Sequence, residues 1–138
     1  MLHEFLVKFT DNGKVTTPAG NDLFKADSSK LLTDEERELF HRTVVKALFL
    51  CKRARPDIQT AVAVLCSRVR APGRQEWTKL VRMMKFLHGT KDDILTLSKG
   101  RGSIQLEWYV DASFAIYPDY RGHTGAAFRF KGGKVISV

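Results

Sequence analysis

The segment TDEERELFHRTVVKALFLCKRARPDI, residues 33–58, contains the start and the end of one helix and the start of a second. Thr33 and Glu36 form a capping-box pattern, in which each side chain accepts a hydrogen bond from the backbone amide of the other residue. Apolar residues then recur at helical spacing from Leu39 onward. Basic residues before Pro56 suit the negative end of a helix, and proline suits the first position of the next one.

Two further helices follow at short intervals. The second is predicted to run from Pro56 to a break at Pro72-Gly73, with an apolar stripe at Ile58, Ala61, Val62, Leu65 and Val69. The third is predicted from about Gln75 to His88, with one face formed by Trp77, Leu80, Val81, Met84 and Leu87. Gly89 suits the left-handed position that often ends a helix. Three such helices should pack as a small bundle with their Lys and Arg side chains outside.

The last third of the chain changes from a helical period to an alternating one. Residues 104–111 alternate strictly between apolar and polar, which predicts a half-buried strand. Residues 124–130 predict a second strand, and Gly132-Gly133 suits a hairpin turn into a third. The predicted fold class is therefore α+β, with a small basic bundle of about three helices followed by a three-stranded antiparallel sheet. The predicted regions are an N-terminal amphipathic helix turn and linker (1–30), the basic helices (31–92) and the sheet (93–138).

The net charge of +8 is concentrated in the helical region. Between Arg37 and Lys91 the sequence has thirteen basic residues and only three acidic ones, Glu38, Asp57 and Glu76. Solvated surfaces usually intersperse the two signs, so this imbalance favours a polyanionic partner, most often nucleic acid. The residues expected to contact it cluster near the helix ends and along the third helix: Lys52, Arg53, Arg55, Arg68, Arg70, Arg74, Arg82 and Lys85.

Composition argues against several other classes of protein. With 43% hydrophobic residues the chain can bury a core, but no apolar run reaches the roughly 18 residues that span a bilayer. No membrane partner is therefore expected. Cys51 and Cys66 make no disulfide framework, and their spacing to the histidines fits no zinc site. The lack of a disulfide framework favours an intracellular location for the protein. A packing role is expected for the two cysteines and also for Trp77, Trp108, Met83 and Met84.

Four motifs occur in an order that resembles a known family. They are TPA at 17–19, CKRARPDI at 51–58, a tryptophan followed by LHGTK at 77–91, and WYVDASFA with GHTG at 108–125. Together they resemble the thumb and connection region and the start of the ribonuclease H domain in copia-type retrotransposon reverse transcriptase polyproteins. The resemblance implies that the sheet is an incomplete ribonuclease H fold. It also implies that the basic helices grip the backbone of RNA or of an RNA–DNA hybrid.

The same resemblance bears on catalysis. Asp111 matches the first of the carboxylates with which the family's ribonuclease H holds Mg²⁺ ions, and it is the one candidate metal ligand. The other carboxylates and the paired aspartates of a polymerase palm have no match here. One carboxylate does not hold two metal ions. The chain alone is therefore expected to bind no cofactor and to be a non-catalytic, nucleic-acid-binding fragment or relic of the polyprotein.

Two alternatives stay open at this point. A domesticated, retroelement-derived protein could serve as a structural subunit of a larger ribonucleoprotein complex, with a protein partner covering the exposed edge of its sheet. In the other alternative, a second chain supplies the missing carboxylates and completes a ribonuclease H active site around Asp111.

Overall fold

The structure, a computed structural model, describes residues 15–25, 30–96, 106–117, 120–130 and 133–137. The chain divides into two compact units, Met1–Asp93 and Ile94–Val138. In the described residues the first unit has three α-helices and the second has antiparallel strands, so the predicted α+β fold class is confirmed. The predicted amphipathic helix turn at residues 2–9 lies outside the described residues.

Helix α1 spans Asp34–Arg53 and begins where the capping box predicts. The Thr33 hydroxyl accepts a hydrogen bond from the Glu36 amide at 3.3 Å, and the Glu36 carboxylate accepts one from the Thr33 amide at 3.0 Å. The acidic first turn and the basic last turn both complement the helix dipole. The local signals in the sequence therefore fix both ends of α1.

The second and third helices differ in detail from their predicted forms. Pro56–Ile58 forms a 3-10 turn, and helix α2 follows at Gln59–Ser67. Helix α3 spans Arg74–Gly89. The predicted left-handed position at Gly89 is wrong, because the helix includes that glycine and Thr90 caps it instead, donating from its amide and its hydroxyl to the Phe86 carbonyl.

The core of the first unit lies among its three helices, and the predicted apolar stripes supply most of it, although Val69 and Val81 are only half-buried. Its most deeply buried side chains are Phe40, Val44, Ile58, Val62, Leu65, Leu80, Met83, Met84 and Leu87. The expectation that all Lys and Arg side chains lie outside this core is wrong. Arg55 and Lys79 are buried, with 9% and 7% of their surface exposed, because each meets hydrogen-bond acceptors inside the unit.

Part of the predicted linker is packed against the helices. Leu23 is buried, and the Lys79 ammonium donates to the Lys25 carbonyl at 2.6 Å. A short antiparallel bridge joins Leu31 to Gly73. Residues 15–25 and 30–32 therefore belong structurally to the helical unit. No helix in the described part of the chain is long and apolar enough to cross a bilayer.

A second tie joins the start of α1 to the start of α3. The Arg74 guanidinium makes two parallel hydrogen bonds to the Glu36 carboxylate, at 2.7 and 2.8 Å. The hydrogen bond from the Thr33 amide, together with Arg74, holds the pKa of Glu36 below its ordinary value of 4.5. Glu36 therefore contributes stability when it is ionised.

Replacing Glu36 by glutamine should destabilise the helical unit at neutral pH, because the variant cannot form the ion pair. Because the pKa of Glu36 is lower in the folded chain than in the unfolded one, its contribution to stability is fully present above the unfolded pKa of 4.5. That contribution is lost as the pH falls through the pKa of the folded state. The difference between the two proteins should therefore shrink in acid. Urea denaturation between neutral pH and acid measures it. Glu35→Gln, at an exposed neighbour in the same first turn, is the matched control and should change the stability at neutral pH less than Glu36→Gln does.

The second unit is a sheet with strand order β1-β2-β3. β1 spans Leu106–Ser113 and pairs antiparallel with β2, His123–Phe130, from Leu106 opposite Phe130 to Ser113 opposite His123. β3 spans Gly133–Ser137 and pairs antiparallel with β2, with a register shift between Phe128 and Arg129. Gly122 is needed at the entry to β2, because a Cβ there would lie 2.8 Å from the Ser113 carbonyl oxygen.

The prediction that β1 is half-buried is wrong. All eight of its residues are exposed, including Trp108 at 67%, although Trp108 packs on Phe128 with 4.6 Å between the ring centroids. The alternation does sort the side chains, since Leu106, Trp108 and Val110 share one face of the strand. Burial also needs a second layer against that face. Period alone does not reveal whether one is present.

Candidate nucleic-acid interface

The eight basic residues predicted to contact nucleic acid have different surroundings in the structure. Lys52, Arg53, Arg70 and Arg74 are exposed, Arg68, Arg82 and Lys85 are half-buried, and Arg55 is buried. The groups to which each side chain is bound decide how much of its charge remains for a ligand.

Arg55 uses its guanidinium inside the protein. Nε and Nη2 donate to the two carboxylate oxygens of Asp57 at 3.0 and 2.7 Å. Nη1 donates to the Thr90 carbonyl at 3.0 Å and Nη2 to the Thr90 hydroxyl at 2.6 Å. The guanidinium also lies 5.4 Å from the centroid of the Phe86 ring. We therefore correct the assignment of Arg55 to the nucleic-acid surface, because it joins the turn after α1 to the end of α3.

This link explains two of the motifs in the sequence. Arg55 and Asp57 belong to the CKRARPDI motif, and Thr90 belongs to the LHGTK motif 35 residues later. Sequence reasoning treated the arginine as a surface charge. The sequence does contain one signal of the buried position. Asp57 follows Arg55 by two residues, directly after a proline, so its carboxylate is close enough to pair with the guanidinium.

Arg74 and Arg82 are also engaged in contacts within the unit. Arg74 keeps about half of its side chain exposed, but its charge is paired with Glu36. Arg82 donates from Nη2 to the Thr17 hydroxyl at 2.9 Å, and its buried Nε has no hydrogen-bond partner among the described residues. Because Arg82 is a residue of α3, this hydrogen bond ties the TPA motif to that helix.

Lys79 is a basic residue whose environment the sequence did not reveal. Burial lowers the pKa of its ammonium group, and the positive charge of Arg68 contributes in the same direction. Glu76 opposes this shift, with its carboxylate 4.0 Å from the ammonium. The charge of Arg68 thus acts on the ammonium of Lys79 in α3.

Four of the predicted basic residues form two groups along the chain. Lys52 and Arg53 form the last turn of α1, where the Arg53 guanidinium lies 5.0 Å from the centroid of the Phe49 ring. Arg68 and Arg70 lie at the end of α2. Both groups lie in segments without acidic residues, since neither 39–56 nor 58–75 contains Asp or Glu. The acid between these segments, Asp57, is bound to Arg55.

Asp111, the candidate metal ligand, is exposed on β1 opposite Gly125 of β2. Glu107 shares its face of the strand but accepts from the Tyr109 hydroxyl at 3.0 Å and lies 3.8 Å from the Arg129 guanidinium. Within the described ranges, no three His, Cys, Asp or Glu residues are grouped so that they could hold a metal ion. The described residues around Asp111 therefore do not fit a Mg²⁺ site.

A basic helical unit with two solvent-facing groups of cations is typical of proteins that bind polyanions. Two curated relatives show the kind of protein to which the chain is similar. The retrovirus-related Pol polyprotein from transposon TNT 1-94 of Nicotiana tabacum is 35% identical over 82 residues, 59% of this chain and 6% of the relative. The one from transposon RE2 of Arabidopsis thaliana is 33% identical over 75 residues, 54% of this chain and 5% of the relative.

These relatives confirm the predicted relationship to retrotransposon Pol polyproteins. The chain spans only 5–6% of their length, so their activities are not transferred to it as findings. No family model and no solved structure matches the chain.

Proposed function

We propose that this chain is a nucleic-acid-binding part of a copia-type reverse transcriptase and ribonuclease H polyprotein. In this proposal it corresponds to the thumb and connection region and the beginning of the ribonuclease H domain. It contacts the backbone of RNA or of an RNA–DNA hybrid and catalyses no reaction by itself. The relationship to Pol polyproteins and the order of the four motifs support this proposal.

The observation that carries the proposal is the position of the solvent-facing cations. Arg53 and Arg70 are exposed in segments without a single carboxylate, whereas Arg55 and Arg74 are paired with Asp57 and Glu36. We therefore centre the interface on Arg53 and Arg70. The proposal extends it to the predicted residues Lys52, Arg68 and Lys85, with Arg82 at its margin.

Such an interface would bind through phosphate contacts. Each Lys or Arg that neutralises a phosphate releases condensed counterions, so the affinity falls steeply as the salt concentration rises. These contacts fix the position of the nucleic acid but read no sequence. Binding should therefore be strongly dependent on salt and nearly independent of base sequence.

Titration of a fluorescent RNA and of the matching RNA–DNA hybrid, at several salt concentrations, tests the proposal. The double variant Arg68→Gln/Arg70→Gln should reduce the slope of log affinity against log salt by about one to two units, because it removes one or two phosphate contacts. The matched control is Arg37→Gln/Arg129→Gln, which removes two arginines that lie beside the carboxylates of Asp34 and Glu107. An absence of affinity for both ligands in low salt would disprove the proposal, and so would equal slopes for the two variants.

A further inference from the structure

Helix α1 has a second apolar surface, on the side that does not face the core. Val45, Leu48 and Phe49 are 50%, 38% and 64% exposed. We call these three residues the α1 ridge. Their spacing of three and four positions places them side by side on one face of the helix. The core uses other residues of the same helix: Phe40, Thr43, Val44, Ala47 and Cys51.

Cations surround the α1 ridge. Arg42 and Lys46 are exposed and precede Leu48 and Phe49 by about two turns or less, and Lys52 and Arg53 follow them. No acidic residue occurs from Leu39 to Pro56. The Glu38 carboxylate lies 3.8 Å from the Arg42 guanidinium in a pair exposed to solvent. Such exposed pairs contribute little, so the frame around the ridge stays positive.

We propose that the α1 ridge is a docking site for an acidic amphipathic helix of a partner protein. Apolar side chains at positions i, i+3 and i+4 form the kind of surface that the apolar stripe of a second helix covers. Carboxylates flanking that stripe would lie against Lys46 and Arg53. The complementary charges would set the orientation and speed up association.

The apolar residues decide between this partner and a nucleic acid. A phosphate backbone gains nothing from contact with Val45 or Leu48, whereas burial of apolar surface against a helix is favourable by about 25 cal/mol per Å². Phe49, the largest and most exposed side chain of the ridge, would be the anchor. The inference goes beyond the proposed function, because it assigns a protein partner to the apolar side chains of the ridge, which phosphate binding does not use. Lys52 and Arg53 border both surfaces.

The test uses a synthetic peptide of about 18 residues, or five helical turns, with leucine on one face and glutamate elsewhere. A scrambled peptide of the same composition has no apolar face. With the full chain at about 150 mM salt, where exposed charges are screened beyond about 8 Å, the amphipathic peptide should bind and the scrambled one should not. Fluorescence anisotropy of the labelled peptides measures both.

Matched variants distinguish binding at the α1 ridge from nonspecific binding of the peptide. Phe49→Ala should weaken binding of the amphipathic peptide at least about tenfold. Phe114→Ala removes a side chain that is 93% exposed in the other unit and should change binding less than about twofold. Lys46→Glu should weaken binding, because it places a carboxylate beside the acidic peptide, whereas the same change at exposed Lys91 should not. Far-UV circular dichroism of each variant checks that the helices persist.

Several outcomes would overturn the inference. Equal binding of the scrambled peptide would mean that charge alone attracts the probe, and unchanged binding by Phe49→Ala would remove the ridge from the contact. A loss of RNA affinity in Phe49→Ala would make the ridge part of the nucleic-acid surface. Self-association of the chain that Phe49→Ala abolishes would identify a second copy as the occupant. None of these results depends on Arg68 or Arg70, which test the proposed function separately.

Discussion

Replacement of Arg55 by alanine should lower the free energy of unfolding of the helical unit by about 2–4 kcal/mol. The guanidinium is buried and makes hydrogen bonds to both Asp57 and Thr90. Truncation would leave the Asp57 carboxylate without its cation and the end of α3 without its tie to the turn after α1. Partial exposure of Asp57, 42% of its side chain, keeps the expected loss below that of a fully buried pair.

Two matched variants identify the cause of that loss. Arg53→Ala removes an arginine two positions earlier that is exposed, so it should cost no more than about 0.5 kcal/mol. Arg55→Lys keeps the charge but lacks the planar fork that reaches two partners at once, so it should recover only part of the stability. Urea denaturation followed by circular dichroism of the helices measures all three. A loss of less than about 0.5 kcal/mol in Arg55→Ala would contradict a structural role for the guanidinium.

The contrast between Arg55 and Thr33 shows which features could be predicted from the sequence. The capping box at Thr33 is local, because its two partners lie three residues apart and the pattern itself implies the geometry. The tie between Arg55 and Thr90 joins residues 35 positions apart. Nothing in the helical periods of α1 and α3 indicates which of their polar ends meet.

The candidate site has the same limit. Its positive character follows from counting charges, and Arg53 and Arg70 are exposed as expected. Contacts with distant residues then engage individual basic side chains inside the unit, so that less of their charge remains for a nucleic acid. Arg74 is bound by Glu36, 38 residues earlier, and Arg82 by Thr17, 65 residues earlier. Prediction of the sheet has a similar limit at β1. The alternating pattern assigns side chains to the two faces of the strand but does not tell whether either face is covered.

Replacement of Glu76 by alanine should cost about 2–4 kcal/mol, because this one carboxylate serves two buried groups. It is 6% exposed and accepts a hydrogen bond from the Gly73 amide at 2.9 Å, which satisfies a donor at the start of α3. It also lies 4.0 Å from the ammonium of Lys79, which is 7% exposed. Without Glu76, the amide loses this acceptor and the buried ammonium loses the stronger of two attractions, since the carboxylate of Asp22 acts on it more weakly.

Further variants separate these two contributions. Glu76→Gln keeps an oxygen acceptor for the Gly73 amide but removes the negative charge, so it should lose less stability than Glu76→Ala. Adding Lys79→Met to Glu76→Ala removes the buried ammonium and should recover part of the loss. If the double variant is as unstable as Glu76→Ala alone, the cost lies in the helix start and the charge has no role. Urea denaturation of the full chain gives each free energy.

The pH dependence tests the charge contribution directly. Burial holds the pKa of Lys79 below its ordinary value of 10.5. At pH values between the pKa of the folded state and that of the unfolded state, the unfolded chain therefore binds more protons than the folded chain. Stability from this group therefore rises with pH through that window, and it is lowest when the ammonium is charged in both states. Glu76→Ala removes an attraction that raises the folded pKa, so its window should begin at a lower pH. Lys79→Met should abolish the rise in both backgrounds, whereas Lys46→Met, at an exposed position, should leave it intact.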